Sequence, residues 1–326
     1  MKRKIILDCD PGHDDAIAIM LAAQHLDVLG ISTVGGNCSL ENVTINALKI
    51  LELIGRPDIP VYPGHSRPTV GELVTAPQFH GKSGLDGPDL PAPKIKPREK
   101  HGVDFITDTL RSAAAGGITL AATGPLTNIA AALNRAPDIA GRIREICVMG
   151  GSVTFGNWTP QAEFNIFVDP EAAYRVFNSG VPVKMCGLNL TRQCVITEAE
   201  LNLIRKIPTR TARAAADMLG FYVEAERKNL GIPGGDLHDP CAVAWLIDPS
   251  LITGAAMHIT VELKGEFTRG MTVCDYRHLH AGDPERDLCH NPAISFRGKE
   301  PNAEAGLRLN RDGFMKLLLD TLARYP

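Results

Sequence analysis

Short apolar runs recur along the first half of the chain, at residues 4–7, 28–34, 118–122, 143–149 and 181–186. Between them, at 14–25, 40–54, 103–114, 126–134 and 170–178, apolar residues return at helical spacing and alanine is frequent. The runs predict buried strands and the intervening stretches predict helices. Regular alternation of the two predicts an α/β fold: an open, mainly parallel sheet with helices on both faces, Rossmann-like. Ligands in such sheets bind beyond the carboxyl ends of the strands. The residues that follow each run are therefore where chemistry is expected.

The alternation stops near Cys186. Residues 198–230 read as helices, with Pro208 as a start signal for the second. The glycine-rich turn GIPGGDLHDP leads into another helix. Segments 257–263 and 271–274 alternate as strands do and suit antiparallel pairing. Residues 311–323 predict a terminal amphipathic helix. The proline-rich stretch 87–97 predicts an active-site flap or a surface loop. Without a linker, repeat or low-complexity tract, residues 1–326 are expected to form a single domain.

Composition narrows the partners. The 326 residues carry a formal net charge of -3, and the pI is about 6.4. No basic surplus is available to neutralise phosphates, so nucleic acid is not expected as a partner. Aromatic residues make up 5%, too few for a base-stacking platform but enough for one small ligand. No apolar stretch approaches a membrane span, and the opening MKRKIILDCD is too short in apolar residues for a signal peptide. Eight cysteines, none in C-x-x-C spacing, argue against zinc and thioredoxin motifs. Several lie in apolar runs as small buried hydrophobes. The expectation is a cytoplasmic protein with reduced thiols.

The densest chemistry follows the first strand. DCDPGHDD places Asp8, Asp10, Asp14 and Asp15 within eight residues. Four such carboxylates repel unless something positive sits among them. Helix capping accounts for one or two of them, at the start of the next helix. An oxygen-only donor set favours a hard cation over zinc. An EF-hand loop from Asp8 fails, because its twelfth position is Ile19. A phosphatase of the haloacid-dehalogenase type also carries D-x-D after a first strand, but not followed by PGHDD.

Other strand ends hold further candidates. GNWTPQAEFNIFVDP follows the run EICVMGG and contains Asn157, Glu163, Phe164 and Asn165. Such residues make turns, but two amides and an acid also suit hydroxyl recognition. His238 and Asp239 open a helix in GGDLHDP, Thr123 ends a strand in ATGPLTN, and Asn37 ends another in VGGN. His80 stands in FHGKSGLDGP, where a loop histidine is ordinarily solvated.

Together these segments resemble the inosine–uridine-preferring nucleoside hydrolase family. The resemblance is carried by DCDPGHDDAIAI, VGGN, HGKSGLDGP, ATGPLTNIA, VMGGSVTFGNWTPQAEFNIFVDPEAA, HDP and GMTVCD, which span most of the chain in order. It implies the nucleoside hydrolase fold and Ca²⁺-dependent hydrolysis of ribonucleosides to ribose and free base, usually by a homo-oligomer, a dimer or tetramer. It implies Ca²⁺ ligation by Asp10, Asp15, Asp239 and the carbonyl of Thr123, with Asp10 activating the attacking water. It places Asp14 and Asn37 at the ribose 2′ side, and Asn157, Glu163 and Asn165 at the 3′ and 5′ hydroxyls. His238 would stand near the base as a proton donor, with His80 on a mobile loop over it. The chain departs from pyrimidine-preferring bacterial members on the helix before HDP. There Leu230 replaces a tyrosine, and Tyr222 and Glu226 replace the threonine and glutamine that meet the base. Base preference stays open, as does the acid role of His238. A non-catalytic Ca²⁺-dependent nucleoside binder is the alternative from outside enzymology.

Overall fold

The computed structural model describes residues 2–280 and 300–326. Cys289 lies outside them, and the other seven cysteines are free thiols, six of them buried. The strands are β1 (Lys4–Cys9), β2 (Asp27–Thr33), β3 (Val61–Pro63), β4 (Ile118–Ala122), β5 (Ile143–Met149), β6 (Val183–Cys186), β7 (Val195–Ile196), β8 (Gly235–Asp236), β9 (Ile252–Val261), β10 (Thr272–Asp275) and β11 (Ala303–Leu309). The first helices are α1 (His13–His25), α2 (Leu40–Leu53), α3 (Pro77–His80), α4 (Gly102–Ser112), α5 (Thr127–Arg135) and α6 (Phe164–Val168). Then come α7 (Pro170–Phe177), α8 (Leu188–Thr191), α9 (Glu198–Arg205), α10 (Arg210–Leu230), α11 (Asp239–Ile247) and α12 (Arg311–Leu322).

Nine strands form one sheet in the order β10-β9-β11-β6-β5-β4-β1-β2-β3. Every pairing from β3 to β11 is parallel, and β9 runs antiparallel to both β11 and β10. This is the expected mainly parallel α/β sheet, with the two late strands antiparallel. Side-chain parity explains its double cover. Ile5, Leu7 and Cys9 of β1 enter a core cluster with residues of α1, α2, α10, α11 and α12. Ile6, from the same strand, enters the opposite cluster with residues of α4, α5 and α7. Burial on both faces is why these strands read as unbroken apolar runs.

Four strands escape the hydrophobic pattern, β7 and β8 among them with only two residues each. β3 is only three residues long and ends on Pro63. β11 is rich in Ala, Gly and charged residues, which carry little strand preference. β8 lies inside the glycine-rich turn and pairs with β7 as a separate two-stranded sheet. The second late helix, α10, is capped by the side chain of Thr209, with Pro208 just ahead. Stretch 87–97 is a surface strap. The N–H groups of Lys94 and Ile95 both donate to Glu52 of α2 at 2.6 Å, and Leu90 and Ile95 pack on the core.

Candidate active site

Parity along β1 also sorts the acids. Asp8 falls on the Ile6 side, away from the cavity. It is buried and accepts hydrogen bonds from Ser32 at 2.5 Å and Asn128 at 2.8 Å. Burial pushes its carboxyl up to about 7 against those two bonds. Asp8 thus ties β1 to β2 and α5, and the sequence cluster loses one member.

The other three acids of the segment meet Asp239 from the far end of the chain. Asp14, Asp15 and Asp239 are buried, with carboxylate oxygens within 4.8 Å of one another. The expected ion-binding set named Asp10 where this trio has Asp14. Asp10 is tied to the same place through Asn37. The Asn37 backbone N–H donates to Asp10 Oδ2 at 2.7 Å, while its amide reaches the Asp10 carbonyl at 3.1 Å and Asp15 Oδ2 at 3.3 Å. Two glycines permit this approach. A Cβ on Gly36 would lie 2.1 Å from Asp10 Oδ2, and one on Gly124 would lie 2.5 Å from Oδ1. Asp10 Oδ1 is buried without a hydrogen-bond partner among the described residues.

Electrostatics make these four acids an incomplete set. Burial, as the largest cause, raises all four, and neighbouring carboxylates add to the rise for Asp10, Asp14 and Asp239. No ion pair among the described residues includes any of them. Thr123 adds oxygens. Its hydroxyl donates to Asp15 at 2.8 Å, and its carbonyl accepts from Asn165 at 2.9 Å, leaving that carbonyl a second lone pair. Clustered carboxylates, a carbonyl and one orphaned oxygen fit a hard divalent cation.

The cavity above this floor has an empty volume of about 730 Å³, its open mouth included. Every residue expected from the sequence lines it except Asp10 and Asp15, which lie beneath. Glu163 is first of all a helix cap. It accepts from the backbone N–H groups of Gly151, Asn165 and Ile166 at 2.9–3.2 Å. Burial still pushes its carboxyl up to about 7. Asn157 accepts from the Phe164 N–H at 3.0 Å. Phe164 in turn stacks tilted on Trp158 with ring centroids 4.9 Å apart.

The opposite end is aromatic. His80 is not solvated. It closes the short helix α3, is buried, and stacks on His13 and Tyr222 with centroids 5.4 and 5.6 Å away. His13 Nε2 lies 2.7 Å from the Asp86 carbonyl, so it donates, and its Nδ1 is left to accept. The proton in the 3.2 Å contact between the two Nδ1 atoms then belongs to His80. In this tautomer the His13 backbone N–H, 3.4 Å from the same His80 atom, makes no hydrogen bond to it. Burial holds His13 down to about 4 and His80 well below its ordinary value, so both are neutral near pH 7. His238 Nδ1 is held by Thr191 Oγ1 at 2.8 Å. Glu226, on α10, is pushed up to about 7 by burial and by Asp236, against a hydrogen bond from Tyr222.

Sequence reasoning missed several of these residues. His13 and Asp236 lay inside motifs already singled out and could have been found there. Phe79 heads the FHGKSGLDGP motif and could have been found there too, whereas Arg192 sits in a segment without a local signature and lines the cavity only through the fold, with Thr191 beside it bonded to His238.

Residues 5–316 match the profile of the inosine-uridine preferring nucleoside hydrolases. The chain is 43% identical to a pyrimidine-specific ribonucleoside hydrolase RihA of Shewanella sp. strain MR-4, covering 100% of this chain and 98% of the relative. It is 42% identical to the protein of that name in Escherichia coli K12, with 100% of both chains covered. Among solved structures it resembles a purine-preferring ribonucleoside hydrolase from Gardnerella vaginalis, with a TM-score of 0.87, 32% identity and 98% of each chain covered. A plant nucleoside hydrolase matches with a TM-score of 0.88 at 32% identity, over 99% of this chain and 100% of that one.

Proposed function

The chain belongs to the inosine-uridine preferring nucleoside hydrolase family, and from that premise we propose that it hydrolyses the N-glycosidic bond of ribonucleosides with Ca²⁺ held at its acidic floor. The observation that carries this reading is the buried acid set, which leaves Asp10 Oδ1 without a partner. Asp10, Asp15, Asp239 and the Thr123 carbonyl would hold the ion, with Asp14 in reach. Bound there, Ca²⁺ supplies a water of lowered pKa and a seat for vicinal hydroxyls.

The chain's own residues do the rest. Asp10 takes the proton of the attacking water. Asp14 and Asn37 hold the 2′ side of the ribose, and Asn157, Glu163 and Asn165 hold its 3′ and 5′ hydroxyls beside Phe164. Bond cleavage develops positive charge on the ring, as in other glycosidic cleavages. Fixed carboxylates beneath the ring stabilise that charge. His80, Tyr222, Glu226 and His238 face the base. Residues 1–326 act as one domain, and the family resemblance and buried thiols support a cytoplasmic homo-oligomer, a dimer or tetramer. Among the described residues no helix is long and apolar enough to cross a membrane.

The test is steady-state release of free base from a panel of purine and pyrimidine ribonucleosides, with elemental analysis of the purified protein. Ribose, free base and stoichiometric calcium are expected, and the panel reads base preference directly. Stoichiometric zinc without calcium would overturn the ion. Nucleoside binding without base release would make the protein a binder. Phosphate release from a 5′-monophosphate with the glycosidic bond intact would overturn the whole reading.

A further inference from the structure

Glu226 stands near the end of α10, 5% exposed, and lines the cavity. Its Oε2 is buried without a hydrogen-bond partner among the described residues. A carboxyl oxygen left in that condition calls for a functional explanation. Two further acids act on it, Asp236 of β8 and Asp14 of α1, while Tyr222 on its own helix and Arg192 beyond α8 oppose them. Arg192 is divided between partners, 3.7 Å from Asp236 and 5.3 Å from the centroid of the Phe155 ring. A buried carboxyl among acids keeps its proton more readily than a solvated one. It therefore has a proton to give at a pH where solvated carboxyls have none.

We propose that Glu226 is the general acid that protonates the leaving base. The inference rests on the nucleoside-hydrolase reading of the same cavity. As the C1′–N bond breaks, its electron pair passes to the base. The O–H bond of Glu226 breaks, and its proton forms an N–H or O–H bond on a ring nitrogen or carbonyl oxygen of the base. The hydroxyl of the attacking water joins C1′, and the proton of that water goes to Asp10. Glu226 then regains a proton from solvent as Asp10 loses one, so the cycle consumes one water. Leu230, one turn further along α10, also lines the cavity and has no proton to give, so the acid is supplied one turn earlier on the helix.

The test compares a nucleoside with p-nitrophenyl riboside, whose leaving group departs without a proton. In Glu226→Gln, kcat on the nucleoside should fall about 10²-fold further than kcat on p-nitrophenyl riboside, the lower end of the usual general-acid contribution. An acid works only while protonated, so the wild-type nucleoside rate should decline as pH rises through about 7. That limb should vanish in Glu226→Gln, and Glu226→Asp should restore part of the rate. Equal losses on both substrates, or no loss on either, would overturn the proposal. Should Glu226→Gln fail to fold, the wild-type pH profiles decide. A decline near pH 7 on the nucleoside alone supports the proposal, and identical profiles on both substrates overturn it. A wild-type protein that cleaves neither compound would instead bring down the hydrolase reading itself.

Discussion

At the floor of the cavity nearly every polar side chain is tied to backbone. Glu163 caps α6 through two N–H groups and accepts a third from Gly151, Asn165 holds the carbonyls of Thr123 and Met149, and Asp10 is held by the Asn37 N–H. At the base-facing end the ties run between side chains. His13, His80, Tyr222 and Phe221 stack on one another, Thr191 steadies His238, and Glu226 keeps an unpartnered oxygen. Leu230, at the rim, is 47% exposed. A carboxylate fixed by backbone can be exchanged only for a group of the same shape without disturbing the strand end that holds it. A residue on an outer helix turn can change while the helix stays. The floor is thus built for one ligand group and the base end for exchange.

The largest expected effect tests the floor. A 2′-deoxynucleoside removes the hydroxyl assigned to Asp14 and Asn37 and leaves buried polar groups unpaired. Sites built around a hydroxyl reject its absence by ~10⁴-fold or more, so kcat/KM on inosine or uridine should exceed that on the matching deoxy compound by this factor. Comparable rates would move Asp14 and Asn37 away from the 2′ position and dissolve the contrast. Next comes Asp10→Asn, which keeps shape but cannot take a proton. A kcat loss of at least ~10²-fold with substrate binding largely kept is expected of a general base. Near-normal kcat would refute the assignment.

Stripping the metal should make the stability of the fold depend on pH. Asp8, on the other face of β1, and Glu163, in the cavity wall, have folded-state values pushed up to about 7, above the ~4 of unfolded carboxyls. Stability from such groups is complete below the unfolded value and is lost as pH rises through the folded one. The chelated protein should therefore melt at a lower temperature at pH 8 than at pH 5. Added calcium should raise the melting temperature, because a ligand that binds only the native state stabilises it. A chelated protein that is more stable at pH 8 would mean that the acids are not short of positive charge. The smallest effect is expected at the rim. Leu230→Ala should shift KM among bases by about 10-fold or less, as a partial hydrophobic contact does, with kcat on any one base little changed. A large kcat loss there would show that the base end is as rigidly committed as the floor.

Much of this molecule is legible in one dimension. The apolar runs placed β1, β2, β4, β5 and β6, and strand-end logic directed attention to DCDPGHDD, VGGN, ATGPLTN and GNWTPQAEFNIFVDP. Strand and helix periodicities are local properties of the chain, and a motif at a strand end carries its acids and amides together wherever the fold goes. What pairs with what is not local. Only the packing of α11 against α1 brought Asp239 beside Asp14 and Asp15, more than two hundred residues away in the chain. Only strand parity turned Asp8 away from them, and only burial made His80 one ring of an aromatic stack. Thr191 and Arg192 carry no signature because their role is set by the distance to a distant loop. Glu226 was readable as a position, but its orphaned oxygen was not. Whether a carboxyl finds a partner depends on every element packed against it, and the tertiary structure alone decides that.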